Sequence, residues 1–470
     1  MEALGRVPGA TTVLPHRLFR EGGGRYVYAA DTGGLFRMDA AVQGALSALA
    51  SSGAPSVPRD LLADLARAGL LRTAGVPEPS ARTVLPPLCV RTLVLMLTNS
   101  CNLSCRYCYE GREEGCAPPS DGGGVRQEMS GETIRRSVAF LLDHSGERRS
   151  VSVVFFGGEP LLRFPVLRNA VPDARAMAWE RGKEISFSLT TNGTLLTPEI
   201  AAFLRENRVS VCVSIDGPRA VHDLNRSYPS GRGSYGDVMR GLSFLTEKGD
   251  GYPLAARVTL GRGAVEVKET FDHLRGLGFS EVGFAPVSAA EGSASLLTGR
   301  ELDRAMCGFR DLAAGYISDV RDRRMPAFSN LTQILSLIHR GDPMPFPCGA
   351  GIGMLAVDPS GTFYPCHRLC GVGDPFGDPD RGVFPGRRSR FLEGARRRRG
   401  TACGACWAKN FCSGGCYHDA YLRQGDPFAP STHYCKWIRQ LFLLGLRTYV
   451  RVQNETPTFL EAMFGERGNA

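Results

Sequence analysis

The sequence predicts an α/β fold built as a partial (β/α)6 barrel of the TIM type. Residues 91–287 contain six apolar, β-rich runs, each short enough to form one buried strand. Helical patterns such as SGETIRRSVAFLLDH and TPEIAAFLREN separate these runs, and parallel strands require crossovers of this kind. Polar, glycine-containing motifs follow four of the strands, at the ends where such barrels hold their chemistry. The six runs are RTLVLMLT, SVSVVFFGG, EISFSLTTNG, VSVCVSIDG, LAARVTLG and SEVGFAPV.

Length and composition describe an ordinary globular protein of two or three domains. The chain has 470 residues, of which 43% are hydrophobic and 22% charged. No stretch approaches about eighteen uninterrupted apolar residues, so no helix is expected to span a membrane. The first residues lack a charged segment followed by a long apolar run, so we expect no secretory signal and a cytoplasmic location.

Four regions are predicted along the chain. Residues 1–85 contain β-rich runs with glycine turns and then two short helices, the first capped by Asp39, an order that fits a winged-helix-like domain. A proline-rich linker separates it from the barrel, which is predicted at residues 90–290. A helical bridge over 291–347 leads to a cysteine-rich domain at 348–450, which ends in an amphipathic helix.

The net charge of +9 is unevenly distributed, because the run GRRSRFLEGARRRRG carries much of the excess. Such a run could contact phosphates. A solvated loop is the more common structure for a run of like charges, and it is the interpretation adopted.

The fifteen cysteines indicate metal or redox chemistry, because disulfides are rare in a reducing cytosol. Three of them lie within the run TNSCNLSCRYCYEG, which follows the first strand: Cys101, Cys105 and Cys108. Three thiolates can hold a cubane iron–sulfur cluster and leave one iron open, whereas most clusters have four cysteine ligands. A zinc site completed elsewhere and simple packed thiols are the alternatives.

The spacing C-x3-C-x2-C, with an aromatic residue before the last cysteine, resembles the radical S-adenosylmethionine (SAM) enzymes. The resemblance implies that the open iron binds the amino and carboxylate groups of SAM. Reductive cleavage of SAM would then give a 5′-deoxyadenosyl radical that abstracts hydrogen from an unactivated carbon.

The other motifs at the barrel rim match the same family. In GGEP, Gly157 and Gly158 would let backbone approach the SAM amine, with help from Glu159, although a glycine pair alone often marks only a turn. Asn192 in TTNG and Ser214 in SIDG stand where relatives contact the ribose and carboxylate of SAM.

Arg226, in HDLNR, is a candidate partner for the SAM carboxylate, because a guanidinium binds carboxylates bidentately. A surface ion pair is an equally open interpretation.

The C-terminal cysteines resemble the SPASM extension of radical SAM enzymes, which holds two auxiliary [4Fe–4S] clusters. The resemblance implies one cluster on Cys403, Cys406, Cys412 and Cys435. It implies a second on Cys348, Cys366 and Cys416, for a total of three [4Fe–4S] clusters. Zinc modules also use C-x2-C, but their spacing does not produce this seven-cysteine order.

The second auxiliary set lacks a fourth ligand. No cysteine lies between Cys348 and Cys366, where several relatives have one. Either Cys370 completes the set, or one iron stays open and could bind a substrate thiolate.

SPASM radical SAM enzymes mostly modify peptides, and residues 1–85 resemble the precursor-recognition domains of maturases for ribosomally made peptides (RiPPs). Such a domain takes a leader peptide as an added strand. A DNA-binding winged helix is less favoured, because the helices of this region carry few basic residues.

His367 follows the cysteine of the G-x4-C element, where anaerobic sulfatase maturases have an aspartate base. This departure weakens a formylglycine-forming assignment. The surrounding run instead resembles maturases that form sulfur-to-carbon crosslinks, and those of quinohemoprotein amine dehydrogenase. His367 could act as a base, since an unperturbed imidazole titrates near neutral pH, or could donate to the nearby cluster.

The sequence therefore predicts a radical SAM peptide maturase that forms a Cys sulfur-to-carbon thioether in a precursor peptide. Flavodoxin or ferredoxin is expected as electron donor, and neither nucleic acid nor membrane as partner. Carbon–carbon or carbon–oxygen crosslinking, amine dehydrogenase maturation and sulfatase maturation stay open. The alternative of a different class is a zinc protein that binds nucleic acid.

Overall fold

The computed structural model describes residues 4–5, 12–50, 57–72, 85–109, 126–246, 252–341, 344–398 and 403–466. Most of the predicted linker lies outside these residues. No helix among them is long and apolar enough to cross a membrane.

The N-terminal region has the predicted order of strands followed by helices. Its antiparallel sheet runs β3–β4–β5, and two short strand pairs, β1–β6 and β2–β7, flank it. Asp39 caps the first helix as predicted, since its carboxylate accepts a hydrogen bond from the Val42 amide at 2.8 Å. The winged-helix assignment itself stays a prediction. The elements are β1 Leu4–Gly5, β2 Thr12–Val13, β3 His16–Glu21, β4 Gly24–Ala29, β5 Leu35–Arg37, α1 Ala40–Ala50, β6 Val57–Pro58, α2 Arg59–Arg67 and β7 Leu71–Arg72.

The next region confirms the predicted βα repeat. Six parallel strands lie side by side in sequence order, from β8 to β13. Alternate residues are buried in β9 to β12, as in β9, where Val151, Val153 and Phe155 enter the main core, whereas β8 and β13 each have consecutive buried residues. The strands are β8 Thr92–Met96, β9 Ser150–Phe156, β10 Glu184–Thr191, β11 Val209–Ser214, β12 Leu254–Leu260 and β13 Glu281–Pro286. The helices are α3 Gly131–Asp143, α4 Phe164–Glu180, α5 Pro198–Glu206, α6 Arg219–Asn225, α7 Tyr235–Thr246 and α8 Val267–Gly276.

The six-stranded sheet is extended at one edge instead of closing. Among the described residues β13 does not pair with β8, whose free edge is taken by a parallel strand, β14. Three short antiparallel strands continue from β14 and complete a ten-stranded mixed sheet. An open sheet agrees with a partial barrel, but the extension was not predicted. The added strands are β14 Met354–Val357, β15 Phe363–Tyr364, β16 Gly377–Asp378 and β17 Gly382–Val383.

Helices dominate the rest of the chain. The predicted helical bridge contains two helices, and the predicted closing helix packs against both of them. These helices are α9 Gly299–Arg321, α10 Ser329–Arg340, α11 Pro385–Arg397, α12 Lys409–Cys412, α13 Tyr417–Gln424, α14 Cys435–Glu455 and α15 Pro457–Phe464.

The N-terminal sheet packs directly on the cysteine-rich region. Tyr28 stacks on Phe411, with ring centroids 5.1 Å apart. The Asn410 side chain donates a hydrogen bond to the Ala30 carbonyl, and Lys409 forms an ion pair with Asp31. The N-terminal sheet therefore contacts the segment 409–411 of the cysteine-rich region, although the division of the chain into the predicted domains stays a prediction.

The described part of the arginine-rich run, residues 386–398, is not a solvated loop, so that prediction is wrong. Its first part forms α11, and the apolar spacing of Phe391, Leu392 and Ala395 places one helix face against the protein. Arg388 lies on this face and donates hydrogen bonds to the carbonyls of Gly351 at 2.8 Å and Pro86 at 2.7 Å. Arg398 is buried at the end of the same face.

Candidate functional site

The loop after β8 carries the first three cysteines. The thiols of Cys101, Cys105 and Cys108 lie close together. Both Cys105 and Cys108 are near enough to act electrostatically on Cys101. Burial raises the pKa of Cys101 to about 12. Buried thiols that cluster in this way can bind a metal centre and release their protons to solvent, because the metal compensates the thiolate charge.

Gly157 and Gly158 hold the end of β9 against this loop. Gly157 has a φ of +142°, and a Cβ at Gly158 would overlap the Ser100 carbonyl. The backbone amide of Gly158 donates to the Thr98 carbonyl at 2.8 Å, and that of Glu159 to the Ser100 carbonyl at 2.9 Å. The pair therefore positions the cysteine loop, and its predicted approach to SAM stays a prediction.

Glu159 connects the ends of β9 and β10 from a fully buried position. Its carboxylate accepts hydrogen bonds from the Asn192 amide at 2.7 Å, the Thr191 hydroxyl at 2.8 Å and the Leu161 amide at 3.0 Å. Burial raises the pKa of Glu159 to about 7, against the opposing effect of these three donors. The structure therefore gives Glu159 a role in holding the two rim motifs together.

Asn192 reaches from the end of β10 to the cysteine loop. Its side-chain nitrogen lies 3.8 Å from the Cys101 sulfur and donates to the Asn102 side chain at 2.9 Å. Its oxygen accepts hydrogen bonds from the Thr194 amide and hydroxyl. The sequence analysis missed Asn102 and Thr194, whose signal was their position beside Cys101 and Asn192.

Arg226 forms an ion pair with Asp216, but a buried one instead of the surface pair that was considered. The two side chains are 3.1 Å apart, and the guanidinium lies 5.4 Å from the ring centre of Tyr107. The Tyr107 hydroxyl also donates to Asp216. Burial raises the pKa of Cys105, and the Arg226 charge partly lowers it.

The sequence assigned no role to Asp216 or Tyr107, although Asp216 lies in the motif SIDG and Tyr107 is the aromatic residue before Cys108. Ser214 ends β11, half-buried, beside this pair. Contacts of Ser214 and Arg226 with SAM stay predictions.

Four of the C-terminal cysteines form one group. Burial, with smaller contributions from the nearby thiols of Cys435, Cys403 and Cys406, raises the pKa of Cys412 to about 11. A cavity of about 250 Å³ adjoins this group and is lined by Cys403, Cys412, Cys435 and also Cys416. The structure thus brings together the four residues that the sequence assigned to one auxiliary cluster.

Three more cysteines form a second group. Burial raises the pKa of Cys366 to about 12, with further contributions from Cys416 and Cys348. Cys370 lies beside this group, with its sulfur 3.9 Å from the Cys366 carbonyl oxygen. Its side chain packs against an apolar cluster of Val94, Met96 and Ala356. Ligation by Cys370 stays a prediction.

The donors in these groups fit iron–sulfur clusters by their chemistry. All of them are cysteine thiols, and thiolates are the usual protein ligands of such clusters. In the part of the chain that the structure describes, no three His, Cys, Asp or Glu side chains converge closely enough to hold one metal ion. The presence of three [4Fe–4S] clusters stays a prediction.

His367 lies between the first cysteine loop and the second auxiliary group. Its ring is 4.6 Å from that of Phe156 and 6.4 Å from that of Tyr109. Burial lowers the pKa of His367 to about 3, with smaller effects from Arg368 and His418. The assumption of an unperturbed pKa is therefore wrong, because the ring is removed from water beside a guanidinium.

His418 and Tyr109 complete this cluster and were missed. The two rings are 5.5 Å apart, and Arg368 stacks on Tyr109 at 5.0 Å. The Nδ1 atoms of His367 and His418 are buried without a hydrogen-bond partner among the described residues. Each histidine follows a cysteine of the second auxiliary group within two residues, which was the available signal.

Comparisons with known proteins agree with this geometry. Residues 95–282 match the radical SAM superfamily. The chain is 26% identical over 353 residues to a serine-type anaerobic sulfatase-maturating enzyme of Klebsiella aerogenes, covering 72% of this chain and 82% of the relative. It is 27% identical over 369 residues to an AdoMet-dependent heme synthase of Oleidesulfovibrio alaskensis, covering 73% and 86%.

Solved structures share the fold. Histidine-tagged anSMEcpe with bound AdoMet aligns with a TM-score of 0.66 and 19% identity, over 80% of this chain and 98% of that one. Streptococcus suis SuiB bound to its precursor peptide SuiA aligns with a TM-score of 0.51 and 15% identity, over 90% and 100%. Residues 95–282, with the cysteine loop at the rim of their parallel sheet, are therefore a radical SAM domain.

Proposed function

We propose that this protein is a radical SAM maturase with three [4Fe–4S] clusters, which crosslinks a ribosomally made precursor peptide through a Cys sulfur-to-carbon thioether. The observation that carries the proposal is the presence of two separate thiol groups besides the cysteine loop. A domain that only cleaved SAM would need the loop cysteines alone. Additional clusters suit a reaction that also needs an electron acceptor or a site for a substrate thiolate.

The first cluster would be held by Cys101, Cys105 and Cys108. When bound, cluster and SAM together supply a radical able to abstract hydrogen from carbon. Asn192 is aimed at the sulfur of Cys101, and Glu159 fixes its backbone. These residues would hold the loop in one geometry, so that SAM is oriented before electron transfer.

The peptide would be recognised by the N-terminal sheet. Among the described residues, β3 and β5 each pair on one side only, so both edges could accept an added strand. Leu18 on β3 and Phe36 on β5 are exposed by 42% and 41% and could bind apolar leader side chains. Support comes from SuiB, a neighbour in fold solved with a precursor peptide.

The substrate thiolate would bind at the second auxiliary group. Cys348, Cys366 and Cys416 supply three ligands, which leaves one iron open if Cys370 stays within its apolar cluster. His367 and His418 border this position, each with a buried Nδ1 available for a hydrogen bond. We propose that they orient the substrate or donate a hydrogen bond to the cluster, because both rings are buried beside cysteines of this group.

Sulfatase maturation is the second candidate, because a Klebsiella aerogenes enzyme of that class matches 72% of this chain. His367 in place of an aspartate argues against it. Carbon–carbon and carbon–oxygen crosslinking differ from the thioether in the atoms that are joined, and amine dehydrogenase maturation differs in the protein that is modified. The cytoplasmic location and the flavodoxin or ferredoxin donor belong to the proposal.

The test begins with a search of the open reading frames beside the gene for a short, cysteine-containing precursor peptide, which is then incubated anaerobically with the protein, SAM and dithionite. We expect loss of two hydrogens per crosslink, together with loss of one free thiol. The same mass loss with an unchanged thiol count would overturn the thioether. Conversion of a sulfatase peptide to formylglycine would favour the second candidate, and purified protein with zinc but no acid-labile sulfide would exclude both.

A further inference from the structure

Arg398 is a buried arginine that lies against the turn connecting the two auxiliary thiol groups. It follows the last residue of α11 and is 1% exposed. Its Nη1 atom donates a hydrogen bond to the Gly415 carbonyl at 3.0 Å. A Cβ added at Gly414 would lie 3.3 Å from its Nε atom. The guanidinium therefore covers the glycine pair of the sequence CSGGC.

This turn begins in one thiol group and ends in the other. Cys412, at its start, belongs to the four-cysteine group, and Cys416, at its end, belongs to the three-cysteine group. Both thiols act electrostatically on Arg398, as does Cys403. In return, although burial raises the pKa of Cys348, the Arg398 charge opposes that effect. One buried cation is thus within electrostatic reach of both groups.

The surroundings keep this charge in place and away from water. The guanidinium stacks on the Tyr417 ring at 4.9 Å, and Tyr417 is itself buried. Burial lowers the pKa of Arg398, but arginine keeps its proton in proteins. Charges interact more strongly where water is excluded, so a fixed cation here would act strongly on nearby anions.

We propose that Arg398 is a positioning residue that raises the reduction potentials of both auxiliary clusters. The inference rests on the proposed function, because it requires that both thiol groups hold clusters. Taking up one electron adds one negative charge to a cluster and its thiolates, and the guanidinium stabilises that charge. In turnover the substrate carbon radical would form its bond with the substrate thiolate, which releases one electron. Arg398 would favour uptake of that electron by an auxiliary cluster, from which an oxidised flavodoxin or ferredoxin would remove it.

The experiment measures the potentials of the auxiliary clusters alone. A full-length variant with C101A, C105A and C108A retains only these clusters, which are titrated anaerobically with dithionite and followed by electron paramagnetic resonance. In this background R398M and R398Q should shift both midpoint potentials to more negative values, whereas R398K, which keeps the charge, should stay close to the parent. R388M is the matched control: it removes another buried arginine of α11, one that bonds to carbonyls, and should leave both potentials unchanged.

The possible results distinguish failure of the proposed role of Arg398 from failure of the three-cluster proposal. The role of Arg398 would be overturned if the midpoint potentials of R398M and R398Q were unchanged. It would also be overturned if R398K shifted the potentials as much as these two neutral variants. If neither neutral variant retains its iron while R398K does, the residue acts on cluster retention instead of potential, and the inference also fails. An iron content of the natural protein near four per chain instead of about twelve would instead overturn the three-cluster proposal.

Discussion

Glu159 accepts a hydrogen bond from the backbone amide of Asn192 at 2.7 Å, across the ends of two neighbouring strands. The contact ties GGEP to TTNG, and the side chain of Asn192 then extends to Cys101. Two motifs that are 33 residues apart in sequence thus act as one support for the cysteine loop.

The protonation of Glu159 should make stability depend on pH. Its pKa is raised from 4.5 to about 7, so the folded protein holds the proton more tightly than the unfolded chain. The stability from this group is complete below pH 4.5 and is lost as pH rises through 7, with a slope of up to about 1.4 kcal/mol per pH unit. We expect the free energy of unfolding to fall between about pH 4.5 and 7 and to level off above that range, and E159Q to remove this component.

Urea unfolding at several pH values measures this slope. E199Q is the control, since Glu199 is exposed and forms only a surface ion pair with Arg168. An identical slope in E159Q and the natural protein would contradict the assignment.

The buried pair of Arg226 and Asp216 should be essential to stability. Removing one partner leaves a buried charge alone, so D216N or R226M should each lower the free energy of unfolding by about 3–5 kcal/mol. The double variant should lose less than the sum of the two, because neither charge is then left buried. R390M, which breaks an exposed pair with Asp374, should change stability by less than about 1 kcal/mol. Additive losses in the double variant would show that the pair does not act as a unit.

Substitutions in the two C-terminal cysteine groups should remove different iron–sulfur clusters. C403A and C435A should remove one electron paramagnetic resonance signal, and C348A and C366A a different one, each with loss of about four iron atoms per chain. C307A, at an exposed position on α9, is the control and should retain all iron. If C370A also loses iron, Cys370 is the fourth ligand and the open-iron site is excluded. If all four variants lost the same electron paramagnetic resonance signal, the cysteines would not form two separate groups.

The sequence predicted those features that local pattern determines. Apolar, β-rich runs located all six barrel strands, and the resemblance to the SPASM extension implied the two groups of C-terminal thiols that the structure brings together. The extension of the sheet by β14 could not be predicted, because its four residues pair with β8, more than 250 residues earlier in the chain. Periodicity within a segment carries no information about a partner so distant.

The burial of charged and titratable side chains was predicted incorrectly from the sequence. An arginine run is usually solvated, yet Arg388 and Arg398 are buried because α11 turns one face inward. The pKa of an exposed histidine lies near neutral pH, but burial, with smaller effects from Arg368 and His418, lowers the pKa of His367 to about 3. Both errors arise because residue type sets a reference value, whereas burial and neighbours set the actual one.

The last prediction concerns the peptide-binding edge of the N-terminal sheet. Glu21 at the end of β3 lies 3.8 Å from Arg451 and 3.9 Å from Arg447, so α14 already approaches that strand, whereas β5 has no such contact among the described ion pairs. We therefore expect the leader to add beside β5. F36E should weaken binding of a fluorescently labelled precursor about tenfold or more, because a buried apolar side chain contributes about 1.5–3 kcal/mol. L18E, on β3, should have a smaller effect.

Fluorescence anisotropy measures both affinities, and W179E is the matched control, since Trp179 is an apolar side chain on a barrel helix that is 85% exposed. SAM cleavage without peptide should be unchanged in F36E, because the site of that chemistry lies at the rim of the parallel sheet. A larger effect of L18E than of F36E would move the binding edge to β3. Equal binding by all three variants would remove the N-terminal sheet from peptide recognition, and the leader would then have to contact the barrel or the cysteine-rich region directly.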